Sequence, residues 1–569
     1  MWKKWWLDGL AICVIIAVSC AAMWSLTKPG LPMFHDSNPH ISRMIAFHTA
    51  LMDGQRPPMW AKEMLGGIGS PVMMLNYQLP YYVGEAWVRL GMTYFDSYKL
   101  TLALSFLISG LAMYLCMRQR FAVLPALIGA VVYLLAPYRL VDIYVRGAYG
   151  EAMSFIFPPL ILLGYYRKSI PWLILGWTGL FLTHPLASAA FTLFFLGYSL
   201  FVSDKGEKLA VLRRHGIAFT VACLIAAFNL LPTLTLTKYT YYTPSDSSPL
   251  SQFPTLQQLI YSPWGYGVSV PGPHDGMTFQ VGFAQWGIIL LSLGYFVFCL
   301  LKRRKISAEV GYVLVMVALC LFFMLSLSSP LYTLLGLTNI VDLPWRLLLC
   351  IVFATGWLAC YLTSRVSPKH VWYATLGSLI LLWGLTSQMM MTPPKYWHKT
   401  DKFFARETGD SYGEYAPKYR ATRDSAPFWL RAEPVIGKAT VSQEKDLSNE
   451  QVYLVSGNDQ NVVRINTSYF PGWHAYIDGK EIAIDTRQDI ASKRATCYVT
   501  TRTQVDIDDS GLIACHLPSG THTLTIRYLA LPVQKIGDLI SLLGIGVFIW
   551  IVSRSFYPHT TKAKQLSRT

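Results

Sequence analysis

The chain has 569 residues, 53% of them hydrophobic and only 14% charged, with a formal net charge of +16. That balance is too apolar for a water-soluble chain, and the apolar residues come in blocks near the ~20 residues a helix needs to cross a bilayer. The basic residues are dispersed between the blocks, which argues against a nucleic-acid partner and reads as an orientation signal that also suits anionic membrane lipid.

The first block, Leu7 to Leu26, is longer than a signal-peptide core, and Thr27-Lys28-Pro29-Gly30 offers no convincing cleavage site, so it reads as a retained anchor. Further blocks fall near 97–116, 121–137, 152–166, 170–182, 186–202, 217–236, 281–301, 310–327, 345–363, 371–391 and 531–553, about twelve spans in all. Lys3-Lys4, Arg118 with Arg120, Arg167-Lys168, Arg213-Arg214, Lys302 to Lys305, Arg365 with Lys369, and the tail Lys562 to Arg568 occupy alternate loops. Basic loops stay cytoplasmic, which puts both termini inside. The expected fold is a polytopic α-helical membrane protein with an extracytoplasmic β-sandwich-like domain before its last helix. Its parts are a multispan domain over 1–391, the β-rich domain over 392–530, a final transmembrane helix at 531–553 and a cytoplasmic basic tail at 554–569.

Four outer segments can hold chemistry: 27–96, 138–152, 237–280 and 328–345. The first carries HDSNPHISR at 35–43. Asp36 at a membrane surface can take a proton from a hydroxyl, or anchor a metal or a sugar hydroxyl. It can equally cap the helix expected over 39–53. If that stretch is helical, His40 and Arg43 share a face, so His35, Asp36, His40 and Arg43 together suit an anionic headgroup. Ile41, Ile45, Phe47, His48 and Leu51 give the helix the mixed faces of one lying in the interface.

The second segment, YRLVDIYVRGAYGEA, carries Asp142, Arg146 and Glu151. Asp142 and Arg146 are four apart, as in an ordinary helical ion pair, and Glu151 suits a helix N-terminus. Ionisable groups at the edge of a span nonetheless tend to face a polar cavity. His184-Pro185 marks a break between spans, where the imidazole can satisfy freed backbone groups or a ligand. In the third segment Trp264, Tyr266 and Phe279 can stack on a sugar or meet the lipid interface, and His274-Asp275 is a second polar pair in a turn. The fourth ends in VDLPWRLLL, where Asp342 and Arg346 stand at the mouth of a span. An arginine there snorkels, or pairs with an anion such as phosphate.

Within 392–530, short alternating runs at 451–455, 461–468, 474–477, 481–484, 495–499, 503–507, 512–517 and 521–529 are separated by turn signals such as Phe470-Pro471-Gly472 and Asp478-Gly479. That pattern reads as a β-sandwich. Cys497 and Cys515 lie there, outside the membrane, where an oxidising compartment permits a disulfide. Phosphate-loop, HExxH, paired CxxC and GxSxG signatures are missing, which removes support for an ATP-driven pump, a zinc protease or a serine hydrolase.

HDSNPHISR, YRLVDIYVRGAYGEA, LTHP at 182–185, YSPWGYG at 261–267, LPWRLL at 343–348 and YFPGWHAYIDGKEI at 469–482 follow one another in the chain. In that order they resemble the YfhO-like bacterial membrane proteins and the related "6-pyruvoyl-tetrahydropterin synthase-related" membrane proteins. The resemblance spans nearly the whole chain and implies the GT-C class of membrane glycosyltransferases. It implies a polyprenyl-phosphate sugar donor, a cell-envelope glycan or lipid acceptor, and a bacterial cytoplasmic membrane. It further implies that Asp36 is the catalytic carboxylate and that Arg346, with Arg146 or Arg43, holds the donor phosphate. His35, His40, Asp142, Glu151, His184, Trp264 and Tyr266 are then substrate contacts; no organic cofactor is implied, and a divalent metal stays open. Two rivals are a lipid-linked glycan flippase, and a non-catalytic assembly protein using Trp473 and Tyr476 as an interface.

Overall fold

The computed structural model describes residues 2–203, 206–242, 249–269, 276–390, 395–400, 403–404, 413, 415–420, 430–458, 461–486, 496–501 and 510–556. The pair His274-Asp275 and the strand expected at 503–507 lie outside the described residues.

Helices dominate as far as residue 390. Among the described residues, five helical stretches are long and apolar enough to cross a membrane: Trp5–Thr27, Tyr94–Met117, Phe283–Leu301, Pro344–Thr363 and Pro532–Ser555. Three further pairs qualify only jointly, each bent sharply at its middle: Val123–Leu134 with Pro137–Arg146 by 47°, Lys208–Ile225 with Ala227–Tyr239 by 73°, and Ala308–Met324 with Ser326–Leu334 by 85°. Long helices therefore do not reach the expected dozen. Apolar blocks that read as single spans are broken here, or form short helices such as Ile170–Phe181.

Burial separates the helices by role. Pro344–Thr363 is 78% buried in its most apolar window, whereas Phe283–Leu301 and Pro532–Ser555 are 22% and 17% buried. The latter two leave Leu290, Leu291, Leu542 and Ile549 bare, the outward-facing leucine and isoleucine surface that lipid covers. The central helix Leu348–Thr363 packs closely on Val123–Leu134 because glycines meet: a Cβ on Gly129 would stand 2.8 Å from the Gly356 carbonyl. Small residues let backbones approach in this way within membranes.

The described residues include the strands β1 (Leu31–Pro32), β2 (Tyr396–Trp397), β3 (Ala432–Ile436), β4 (Ala439–Asp446), β5 (Glu450–Gly457), β6 (Asn461–Ser468), β7 (Trp473–Ile477), β8 (Lys480–Ile482), β9 (Ile484–Asp485), β10 (Cys497–Val499), β11 (Leu512–Leu517) and β12 (Gly520–Tyr528). β1 and β2 pair alone, and the others form two five-stranded sheets ordered β3-β6-β11-β10-β9 and β4-β5-β12-β7-β8. Val463, Ile465 and Ile513 of the first sheet and Val455, Leu524 and Ile526 of the second share one buried core. Cys497 and Cys515 face each other across β10 and β11 and are joined in a disulfide.

The sheets are fastened to the first loop rather than hung from a linker. Trp60 is fully buried against Phe470, Trp473 and Tyr528, with ring centroids 6.3, 5.3 and 5.9 Å away. Gly69, at φ +88°, lies so close to that indole that a side chain there would run into it. Around this plug Gln55 Nε2 donates to Ser448 Oγ at 2.7 Å, Ser468 N to the Ile68 carbonyl at 2.7 Å, and Arg431 pairs with Glu63 at 3.0 Å.

Candidate functional site

Asp36 stands at the start of helix Ser37–Met52, in the capping position, yet its side chain makes no cap hydrogen bond. Its main chain is held elsewhere. The Asp36 N–H donates to the Arg146 carbonyl at 2.8 Å, and the His35 N–H to the Val145 carbonyl at 3.0 Å. The first of the four segments is thus clipped to the second by main-chain bonds at Asp36 and His35. Gly147 makes the close approach feasible: at φ +64° it turns the chain, and a Cβ there would stand 2.8 Å from Phe34.

Arg146 ends the single π turn Asp142–Arg146, a local widening of the helix that recurs at functional sites. Its Nη1 donates to Asp142 Oδ1 at 2.6 Å and to Glu151 Oε2 at 2.7 Å. The ion pair that four-residue spacing suggests is therefore real, but it is buried and shared with Glu151. Glu151 is the hub. Tyr138 donates to its Oε1 at 2.5 Å, and Arg346 Nε and His184 Nε2 lie 3.6 and 3.7 Å from its Oε2. Arg346 donates from Nη1 to Asp342 Oδ2 at 2.5 Å. Trp345 sits between the guanidiniums, its ring 5.0 Å from that of Arg146 and 5.9 Å from that of Arg346.

His184 caps its helix, accepting from the Ala187 N–H at Nδ1 at 3.2 Å. That leaves the proton on Nε2, the nitrogen turned toward Glu151. Breaking the span at Pro185 and aiming the imidazole at the hub are thus one arrangement.

The remaining candidates form a rim. His35 Nε2 donates to the Tyr266 carbonyl at 3.3 Å, which draws the third outer segment over the first. Burial lowers the pKa of His35, outweighing the opposing pull of Asp36. Trp264 packs edge-on to Tyr266 at 6.0 Å. His40 is buried, with Nδ1 2.9 Å from the Tyr81 hydroxyl and Nε2 accepting from the Tyr149 N–H at 3.4 Å. Burial and the nearby cations Arg43 and Arg146 hold it well below the usual histidine range, so it is neutral. Arg43 lines a closed crevice with Asn76, Tyr77, Gln78 and Tyr81, and its guanidinium lies 5.8 Å from the Tyr415 ring. Tyr77 links crevice to hub, its ring 6.3 Å from that of His184.

Asp142, Arg146, Glu151, His184 and Arg346 therefore converge, Asp36 is attached to them through its main-chain bond to Arg146, His35, His40, Tyr266 and Trp264 form the rim, and Arg43 stands one aromatic layer away. Cys497 and Cys515 belong to the sheets. Helix Ser37–Met52 buries Ile41, Ile45 and Phe47 in protein rather than laying them on a lipid surface. Trp473, which would have offered an interface, is buried against Trp60. Sequence reasoning missed Tyr138 and Trp345; the signal was there, since Tyr138 precedes Asp142 by one helical turn and Trp345 adjoins Arg346. Among the described residues, no three His, Cys, Asp or Glu side chains gather as metal ligands would.

No family model matches the chain, and no curated protein matches it. Several solved structures are similar to it. They include the arabinofuranosyltransferase AftD from Mycobacteria, at 14% identity and TM-score 0.42, with 67% of this chain and 27% of that one covered. ArnT from Cupriavidus metallidurans bound to undecaprenyl phosphate is 14% identical at TM-score 0.38, covering 69% and 67%. The Archaeoglobus fulgidus oligosaccharyltransferase in its apo form is 12% identical at TM-score 0.46, covering 76% and 62%. The chain spans about a quarter (27%) of the length of AftD. Likeness at this level leaves residue roles to be argued from the site itself.

Proposed function

We propose that the protein is a GT-C-type membrane glycosyltransferase, moving a sugar from a polyprenyl-phosphate donor to a cell-envelope glycan or lipid at the outer face of a bacterial cytoplasmic membrane. One observation carries this reading. A carboxylate that does not cap its own helix, Asp36, is held by its main chain to the residue whose guanidinium enters the buried Arg146–Glu151–Arg346 cluster.

The chemistry divides accordingly. An acceptor hydroxyl attacks the anomeric carbon, its proton passes to Asp36, and the bond from that carbon to the phosphate oxygen breaks with inversion. The departing phosphate gathers negative charge, which a preorganised guanidinium stabilises. Arg146 is already matched in charge by two buried carboxylates, Asp142 and Glu151, both bonded to its Nη1. Arg346 is more exposed, and its Nε is buried without a hydrogen bond, so it is the cation with an edge to offer. The order of HDSNPHISR, LPWRLL and YFPGW, which resembles that of the YfhO-like proteins, supports the same class.

The test is transfer from a labelled polyprenyl-phosphate sugar by purified protein. Asp36→Asn should lower the rate by about 10²-fold or more, the usual worth of a general base, while accumulating normally in membranes. Near-normal transfer by this variant removes Asp36 as the base. Movement of the lipid without transfer would favour a flippase, and binding alone a scaffold.

A further inference from the structure

Three carboxylates face the two guanidiniums of the site, and they are not equivalent. The side chains of Asp142 and Glu151 are 0% and 1% exposed, whereas that of Asp342 is 33% exposed. The sealed pair balances the charge of Arg146 through its Nη1. Arg346 is left with the exposed one, through a single bond from Nη1 to Asp342 Oδ2 at 2.5 Å. Asp342 is itself tied down at its other oxygen, which accepts the Leu343 N–H at 2.9 Å. It therefore cannot also reach Arg346 Nε, which stays buried without a hydrogen bond and 3.6 Å from Glu151.

We propose that Asp342 is a stand-in anion, occupying the edge of Arg346 that a substrate phosphate takes and releasing it when the phosphate arrives. The inference rests on the donor-phosphate role given to Arg346 above. A phosphate presents two oxygens to the guanidinium fork and can satisfy Nη1 and Nε together; Asp342 satisfies one. Without Asp342, Arg346 would face only Glu151, 3.6 Å away and already bonded to Arg146, and a poorly compensated charge in a mostly buried site is unfavourable. With Asp342 in place the empty site is stable, and releasing a carboxylate one-third open to water costs little. Phosphate binding is then an exchange of anions rather than the filling of a vacant cation.

The experiment uses the full chain in lipid nanodiscs and measures binding of farnesyl phosphate, inorganic phosphate and, as a neutral control, farnesol. Asp342→Asn keeps an oxygen for the Leu343 N–H, and Asp342→Ser is a second variant of different shape. Both should bind farnesyl phosphate about 5- to 10-fold more tightly than the parent, Arg346→Ala should lose binding, and farnesol should not discriminate. Structural damage does not tighten a site, so the gain is diagnostic. A gain confined to farnesyl phosphate assigns the exchange to lipid-borne phosphate; an equal gain with inorganic phosphate assigns it to phosphate of any origin; both support the stand-in role. Unchanged or weaker binding by both Asp342 variants, with Arg346→Ala still defective, overturns the stand-in alone. Equal binding by Arg346→Ala and the parent overturns the donor-phosphate reading, and the stand-in with it.

Discussion

Glu151 holds the site together, and Asp36 is its proposed base. Glu151 is 1% exposed and compensates Arg146 at 2.7 Å and Arg346 at 3.6 Å. Replacing it with alanine leaves Arg146 with Asp142 alone and Arg346 with the partly exposed Asp342 alone, and breaking a buried pair costs about 3–5 kcal/mol. The expected outcome is a steep fall in the melting temperature of the purified protein, with activity lost because the fold is lost. Asp36→Asn should leave that temperature unchanged, since its carboxylate makes no cap bond. His40 predicts a pH dependence. Its folded pKa lies well below the ordinary histidine value because of burial and the nearby Arg43 and Arg146. The folded state thus refuses a proton that the unfolded chain accepts. Stability from this group is full above about pH 6.5 and falls as the pH drops below it, by up to about 1.4 kcal/mol per unit. His35 is lowered too and adds in the same direction. A His40→Gln variant should lose less stability than the parent between pH 6.5 and 5 in thermal melts, and an identical loss would exclude this source.

Among the elements, the docking of the sheets on the first loop is the contact most open to a single change. Trp60→Ala removes an indole packed on three aromatic rings, a loss of about 3–5 kcal/mol for a large buried aromatic. Gly69→Ala should act alike, because its φ of +88° strains any side chain and the indole fills the space. Limited proteolysis should then cut between 55 and 75 in both variants and not in the parent. How far the elements could be read beforehand follows from what each pattern encodes. The strands Asn461–Ser468 and Leu512–Leu517 were legible because turn residues bracket them and their runs are too short for a helix. The bends of 47°, 73° and 85° were not. Hydropathy reports the cost of moving a residue into lipid, not the direction the chain takes. A block broken near Pro137 or Ala226 scores like a straight one. The attachment of Asp36 to the stretch of chain that carries Arg146 was hidden for a related reason: it depends on main-chain bonds at Val145 and Arg146, which no side-chain pattern displays.

The bare faces of Phe283–Leu301 and Pro532–Ser555 are the surfaces suited to lipid, and the basic loops predict a direction of crossing. The outer placement of the sheets and the inner placement of Lys302 to Lys305 are therefore joint predictions. A cysteine replacing exposed Glu444 on β4 should react with a membrane-impermeant maleimide in spheroplasts, and one replacing exposed Arg304 only after permeabilisation. Labelling of both from one side would overturn the orientation, and with it the assignment of the site to the outer face.

The clip between the first two outer segments has a further meaning for how such a site can change. Because Asp36 and Arg146 are held through N–H and C=O groups, 2.8 Å apart, the scaffold keeps these positions whatever side chains they bear. Position and chemistry are inherited separately here: the acid can be exchanged for an amide or an alcohol without the socket closing. A chain built this way is free to acquire a different reaction, or to retire from catalysis altogether, by altering one side chain while its architecture stands.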